Sequence, residues 1–172
     1  MSDFEIIKLP PEQWQRYREI RLEALREEPQ AFGSAYAEMA QRSAVYWQER
    51  LSDAAQRETS WLLFAQEGER LIGMIGAFYD RTQESAHILS VYVSKAERGK
   101  GLGKALMERI LSELGEKEGI RKAILGVNQE QTAAVALYRQ FGFEVTGEVE
   151  EVQGDGKEHR MYVMEKRFLL IV

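Results

Sequence analysis

Three glycines in five residues, Gly99, Gly101 and Gly103, lie inside "HILSVYVSKAERGKGLGKALMERIL", between an alternating apolar run and a stretch of helical periodicity. Glycine frees the backbone for left-handed turns and lets a ligand approach bare amides. The first-turn amides of a helix lack internal partners and carry partial positive charge, so a strand-to-helix junction is a natural anion site. Arg98, Lys100 and Lys104 add three positive charges around it. The ligand this chemistry describes is a phosphate or pyrophosphate; the plainer alternative is a tight surface turn with solvated charges. Two side chains elsewhere could move protons. Tyr138 falls four residues after Ala134 on the apolar face of a helical pattern, where a core tyrosine is the default. His87 is of the one residue type whose side chain commonly exchanges a proton near neutral pH, which suits a base. Strand alternation gives it the same facing as Leu89, Val91 and Val93, so a half-buried structural histidine fits equally. His159, in the last hairpin, reads as a surface residue.

The elements that must position these groups follow from periodicity. "FEIIKL" reads as a strand, and "PPEQWQRYREIRLEALREEP" as a helix opened by prolines, with Trp14, Tyr17, Ile20 and Ala24 at helical spacing. "AFGSAYAEMA" reads as a loop and "SAVYWQERLSDA" as a second helix. "SWLLFAQ" and "RLIGMIGAFYD", separated by "EGE", form a hairpin, and "ESAHILSVYV" is a third extended run. Leu102, Leu106, Ile110 and Leu114 make one stripe of an amphipathic helix. "KAILGV" has the nearly all-apolar pattern of a buried strand. "TAAVALYRQFG" is a helix stopped at Gly142, and two strands flank "GDG" at the end. The order β-α-α-β-β-β-α-β-α-β-β predicts an α/β (α+β) fold, a mixed sheet with helices on both faces.

Composition narrows the function classes. At 172 residues, 44% of them hydrophobic, the chain suits one domain, residues 1–172, with a sizeable core. A net charge of −5 argues against a general nucleic-acid or anionic-membrane binder, which needs excess Lys and Arg. The chain has no cysteine, which rules out thiol nucleophiles, disulfides and cysteine-based zinc sites. Its two histidines are too few for an all-His metal site, so no metal is expected. No signal peptide is visible and no run approaches the roughly 20 apolar residues that span a bilayer. A soluble cytoplasmic protein is expected. "RFLLIV" reads as a strand end or docked tail, and dimerisation through it or the last strands would cover an apolar terminus.

The turn fits neither common phosphate fingerprint. In G-x-x-x-x-G-K-[ST], Arg98 stands where the first glycine should be and Ala105 replaces the hydroxyl. In G-x-G-x-x-G the third glycine would be Leu106 or Lys104. What fits is R-x-x-G-x-G, running from Arg98 to Gly103, and here the chain resembles the GCN5-related N-acetyltransferases, the GNAT superfamily, with their [QR]-x-x-G-x-[GA] signature. The stretch "VNQEQTAAVALYRQFGF" strengthens it, resembling V-N-x-x-N-x-x-A-x-x-L-Y-x-x-x-G-F through Val127, Asn128, Ala134, Leu137, Tyr138, Gly142 and Phe143. The element order agrees along essentially the whole chain. Gln131 departs at the second asparagine, and Lys95 stands where a proline is frequent.

The resemblance implies a mostly antiparallel central sheet of about seven strands flanked by about four helices. It implies acetyl-CoA as donor, with no metal, and a small-molecule or peptide primary amine as acceptor. The pantetheine arm would pair with the backbone of Val91, Tyr92 and Val93, the amides of Gly99, Lys100, Gly101, Leu102, Gly103 and Lys104 beside Arg98 would hold the pyrophosphate, and Asn128 would contact the pantetheine or the substrate side. Tyr138 is the implied proton donor to sulfur. His87 lies four residues before Val91, where some members carry a general-base glutamate, and Glu84 is a further candidate. Phe32, Tyr36 and Glu38 would border the acceptor, although loop anchoring explains the aromatics too. A polyamine, amino acid, aminoglycoside or protein N-terminus are equally compatible. Two other readings stand beside this one: a non-catalytic acyl-CoA-binding or sensing module, and transfer of another acyl group.

Overall fold

A computed structural model describes residues 3–169. Seven strands form one sheet in the order β1-β2-β3-β4-β5-β7-β6. They are β1 (Glu5–Ile7), β2 (Ser60–Glu67), β3 (Arg70–Asp80), β4 (Ser85–Val93), β5 (Lys122–Asn128), β6 (Glu144–Val152) and β7 (Glu158–Arg167). Every pairing is antiparallel except β4 with β5. The helices are α1 (Trp14–Glu27), α2 (Tyr36–Met39), α3 (Ala44–Gln56), α4 (Leu102–Glu116) and α5 (Thr132–Gln140). The mixed, mostly antiparallel seven-stranded sheet is the one expected. The helix count is one higher, because the loop "AFGSAYAEMA" contains the single turn α2. One turn is too short for the apolar periodicity that reveals a helix.

The sheet separates two cores. One gathers Tyr17, Ile20, Ala24 and Leu25 of α1 and Trp47 and Leu51 of α3 against Leu62, Phe64 and Met74. The other packs Leu102, Leu106, Ile110 and Leu114 of α4, with Tyr138 and Phe143, against Leu63, Ile75, Ala86 and Leu125. Tyr17 meets Trp47 edge-on at 5.1 Å, a geometry that adds to burial because ring edges and faces carry opposite partial charge. Phe168 packs against the α4 core; the remainder of "RFLLIV", residues 170–172, lies outside the described residues.

Glu113 knots the α4 side together. It accepts from Lys8 Nζ at 2.7 Å, Arg109 Nε at 3.0 Å and Arg57 Nη1 at 3.3 Å, joining three elements distant in sequence. Burial alone would raise its pKa, but the three cationic donors outweigh burial and hold it below 4.5. A depressed carboxyl stabilises the fold fully above its unfolded pKa and loses that contribution as pH falls through the folded value. Glu113→Gln should therefore cost about 1–2 kcal/mol at pH 7. As pH falls through the lowered folded value the two proteins should converge in thermal stability; a gap that does not change with pH would contradict the pairing.

Candidate functional site

Strands β4 and β5 stay paired only from Ser85 to His87 against Lys122 to Ile124, and beyond that point they part. A bulge causes the change in course. Ser90 has φ 58°, the left-handed region that non-glycine residues rarely occupy, and the β3–β4 register slips between Met74 and Gly76. The bulge also reverses the facing of the strand. Ala86 and Ile88 lie in the α4 core, but after Ser90 it is Val91 and Val93 that pack there and Tyr92 that turns to the α1 side. The expectation that His87 shares a face with Val91 and Val93 is thereby corrected: simple alternation cannot cross a bulge.

Two cavities fill the opening. The larger, about 500 Å³, is lined by Val91, Tyr92 and Val93 of β4, by Arg98, Gly99 and Gly101 to Gly103 of the turn, and by the start of α5. The smaller, about 280 Å³, is lined by Ile88 to Val91, Leu125 to Val127, Arg21 and Gln153. Ala31, Phe32, Val91, Gln131 and Tyr138 border both. Tyr138 is thus at the junction. Its ring is 6% exposed and meets Phe143 edge-on at 6.2 Å. Burial pushes its phenol well above the ordinary value of 10, since a phenolate would be desolvated there. Among the described residues its hydroxyl makes no hydrogen bond, leaving the donor available.

The glycine turn is built as an anion cradle. Gly99 and Gly101 adopt φ 82° and 85°, and no atom lies within 4 Å of where a Cβ would stand on either. Glycine is therefore required by backbone direction, and the space in front is open. Gly101 caps α4, whose first internal bond runs from Ala105 N to Gly101 O at 3.0 Å; the amides of Leu102, Gly103 and Lys104 ahead of it have no partner one turn back. The charges are less free than the sequence suggests. Arg98 donates to Glu28 at 2.8 Å and to Val93 O at 3.1 Å, while Lys100 pairs with Glu97 at 2.7 Å. Both cations are themselves solvent-accessible, and pairs of that kind are weak enough to exchange for a phosphate. Lys100 and Lys104 line neither cavity.

Other expected residues are placed differently. Asn128 is 1% exposed and lines neither cavity; its amide donates to Gln30 O at 3.1 Å and its Oδ1 accepts from Glu130 N at 3.0 Å. It ties the Pro29–Ala31 turn to the end of β5. His87 stacks on Phe78 with ring centroids 4.7 Å apart, and lines neither cavity. Glu84 pairs with Arg121 at 3.0 Å. His159, half-buried rather than a free surface residue, meets Asp155 at 2.7 Å. Phe32 lines both cavities, whereas Tyr36 is exposed and Glu38 pairs with Arg42 at 3.4 Å, both away from them. Glu28, Arg21, Glu151 and Gln153 also line these cavities and belong to no motif in the sequence. Arg21 alone left a signal, a charge on the otherwise apolar stripe of α1.

The sequence model of the acetyltransferase (GNAT) family matches residues 11–143. A mycothiol acetyltransferase of Corynebacterium glutamicum is 38% identical over 87 residues, 49% of this chain and 28% of that protein. The chain spans well under half the length of the curated relatives it matches. A GNAT-family acetyltransferase from Streptococcus pneumoniae superposes with TM-score 0.82 at 18% identity, covering 96% of this chain and 99% of that one. The yncA structure from Salmonella typhimurium, solved with its cofactor acetyl-CoA, gives 0.80 at 19% identity over 99% and 97%.

Proposed function

The chain belongs to the acetyltransferase (GNAT) family, and on that premise we propose that residues 1–172 form a single domain that moves an acetyl group from acetyl-CoA to a primary amine. The observation that carries the proposal is Tyr138: a buried, protonated phenol without a hydrogen-bond partner among the described residues, at the junction of two cavities.

The larger cavity fits the donor. Unpartnered amides from Leu102 to Lys104 suit a pyrophosphate, with Arg98 leaving Glu28 to join them. The backbone edge of Val91 to Val93, released from β5, offers strand pairing to an extended arm. Asn128 acts as a positioning residue, because it fixes Gln30 beside that edge. Bound there, acetyl-CoA would supply an activated acyl carbon. The chain's own part is to orient an amine against it from the smaller cavity and to manage two protons. Glu151, which lines that cavity, draws an ammonium in and takes its proton directly or through water. Tyr138 holds a proton at its hydroxyl for the departing sulfur. The net change is one N–C bond formed, one C–S bond broken and one proton released. With no cysteine in the chain, transfer is direct rather than through a thiol of the protein. His87, stacked on Phe78, takes a structural part.

Among the described residues no helix is long and apolar enough to cross a membrane, and no group of three or more acidic or histidine side chains could hold a metal ion. A cysteine-free chain suits the reducing cytoplasm. Val145, Val149 and Val152, exposed on strand β6, would be the surface for a homodimer.

The test is release of free CoA from acetyl-CoA across a panel of polyamines, amino acids, aminoglycosides and short peptides. Amine-dependent release is expected. Tight acetyl-CoA binding without release from any of them would favour a binding module instead.

A further inference from the structure

Arg21 is a buried cation that the fold leaves uncompensated. It sits on the stripe of α1 formed with Tyr17, Ile20, Ala24 and Leu25, 8% exposed, with its guanidinium carbon 5.0 Å from the centre of the Phe32 ring. Among the described residues its Nη1 has no hydrogen-bond partner. Burial pulls its pKa down, and the charged or polar groups acting on it are Tyr17, Arg50 and Tyr46, with no carboxylate among them. Packing on Phe32 explains its stem and plane but not the idle nitrogen. An apolar side chain would fill the place without that penalty.

The same small cavity holds a second idle donor. Gln153, just past β6, is 4% exposed and its Nε2 is also unpartnered. Its position is fixed by the next residue: Gly154 N donates to Phe32 O at 2.7 Å, and a Cβ on Gly154 would stand 2.5 Å from Ser34 O. The hairpin and the loop after α1 therefore close on one another and hold Arg21, Phe32 and Gln153 in one wall. Buried polar groups are ordinarily satisfied. Arg21 and Gln153 both line the same 280 Å³ of space, and a guanidinium beside an amide matches a carboxylate. Glu151 lines the same cavity and supplies the opposite charge. The volume lies below the roughly 300–1,000 Å³ of sites that take drug-sized ligands.

We propose that the acceptor is a free amino acid, its carboxylate held by Arg21 and Gln153 and its amine turned toward Tyr138. The inference rests on the acetyltransferase reading for what happens to the amine, but the carboxylate site stands without it. In the transfer the amino nitrogen bonds to the acetyl carbon, the C–S bond breaks, and the products are an N-acetylamino acid, CoA thiol and a proton.

The twenty L-amino acids, each beside its carboxamide, should be titrated into the wild type, Arg21→Met and Gln153→Leu with CoA present, by calorimetry and thermal shift. At least one amino acid should bind, and its carboxamide about ten- to hundredfold more weakly, as loss of a charged hydrogen bond implies. Arg21→Met should lose the preference for the carboxylate while its own melting temperature holds or rises, because it removes an unpaired buried cation. A purely structural arginine would lower it. Gln153→Leu should weaken the same ligand and gives an independent reading if Arg21→Met fails to fold. Binding by no amino acid, or equal binding of acid and amide, overturns the proposal. If amines without a carboxylate are acetylated and amino acids are not, the acceptor assignment fails while the transferase reading stands. If amino acids bind as described but release no CoA, the reverse holds.

Discussion

Gly101→Glu should leave the protein folded and remove acetyl-CoA binding. The substitution has two separable consequences. At φ 85° a side chain strains the backbone by about 1–2 kcal/mol, which lowers the melting temperature by several degrees, at roughly 2–4 °C per kcal/mol in a chain of this size. The new carboxylate also stands in the open space before the Leu102 to Lys104 amides, where it repels a pyrophosphate and occupies its approach. Affinity should fall by about a hundredfold or more, the loss of several charge-assisted hydrogen bonds. Gly101→Asn separates the two consequences, since asparagine tolerates the left-handed region and carries no charge; it should keep most of the affinity. Calorimetry with acetyl-CoA, beside circular dichroism, checks all three proteins. Unchanged affinity in a folded Gly101→Glu would place the anion elsewhere.

Tyr138→Phe should lower kcat by about ten- to hundredfold, within the lower range of general-acid effects, and leave acetyl-CoA affinity and stability nearly unchanged. The stability half follows from the geometry: among the described residues the hydroxyl has no partner to lose, and a phenyl ring keeps the edge-on contact with Phe143. The pH dependence follows from burial. A phenol pushed above 10 stays protonated through the working range, so the wild-type rate should rise with pH as the amine loses its proton and should not turn down by pH 10 through Tyr138. Steady-state rates of CoA release from pH 6 to 10 check both statements. Normal turnover in Tyr138→Phe would return this residue to the core.

What could be read in the sequence was whatever local spacing controls. The stripe from Leu102 to Leu114, the glycines that need positive φ, and the helix carrying Tyr138 are short-range patterns, and the structure has each of them. What escaped depends on contacts between distant segments. The bulge at Ser90 carries no glycine to announce it, yet it reverses the facing of β4 and leaves His87 stacked on Phe78. The pairing of Arg98 with Glu28, 70 residues away, neutralises a charge that composition alone counts as free. Asn128 looks like a ligand contact in its motif, but its amide is taken up by Gln30. The smaller cavity draws on α1, the following loop, β4, β5 and the last hairpin. No local pattern could assemble that, although an arginine on an apolar stripe was a legible anomaly.

Acetyl-CoA is proposed to lie in the opening between β4 and β5, held by its pyrophosphate at the glycine turn. The test is titration of the wild-type protein with acetyl-CoA, with acetyl-dephospho-CoA, which keeps the pyrophosphate without the 3′-phosphate and should bind nearly as well, and with acetyl-pantetheine, which lacks the whole nucleotide. One-to-one binding of acetyl-CoA, at least about a hundredfold tighter than acetyl-pantetheine, is the predicted result. Equal affinity for acetyl-CoA and acetyl-pantetheine, or no binding of acetyl-CoA, would contradict it.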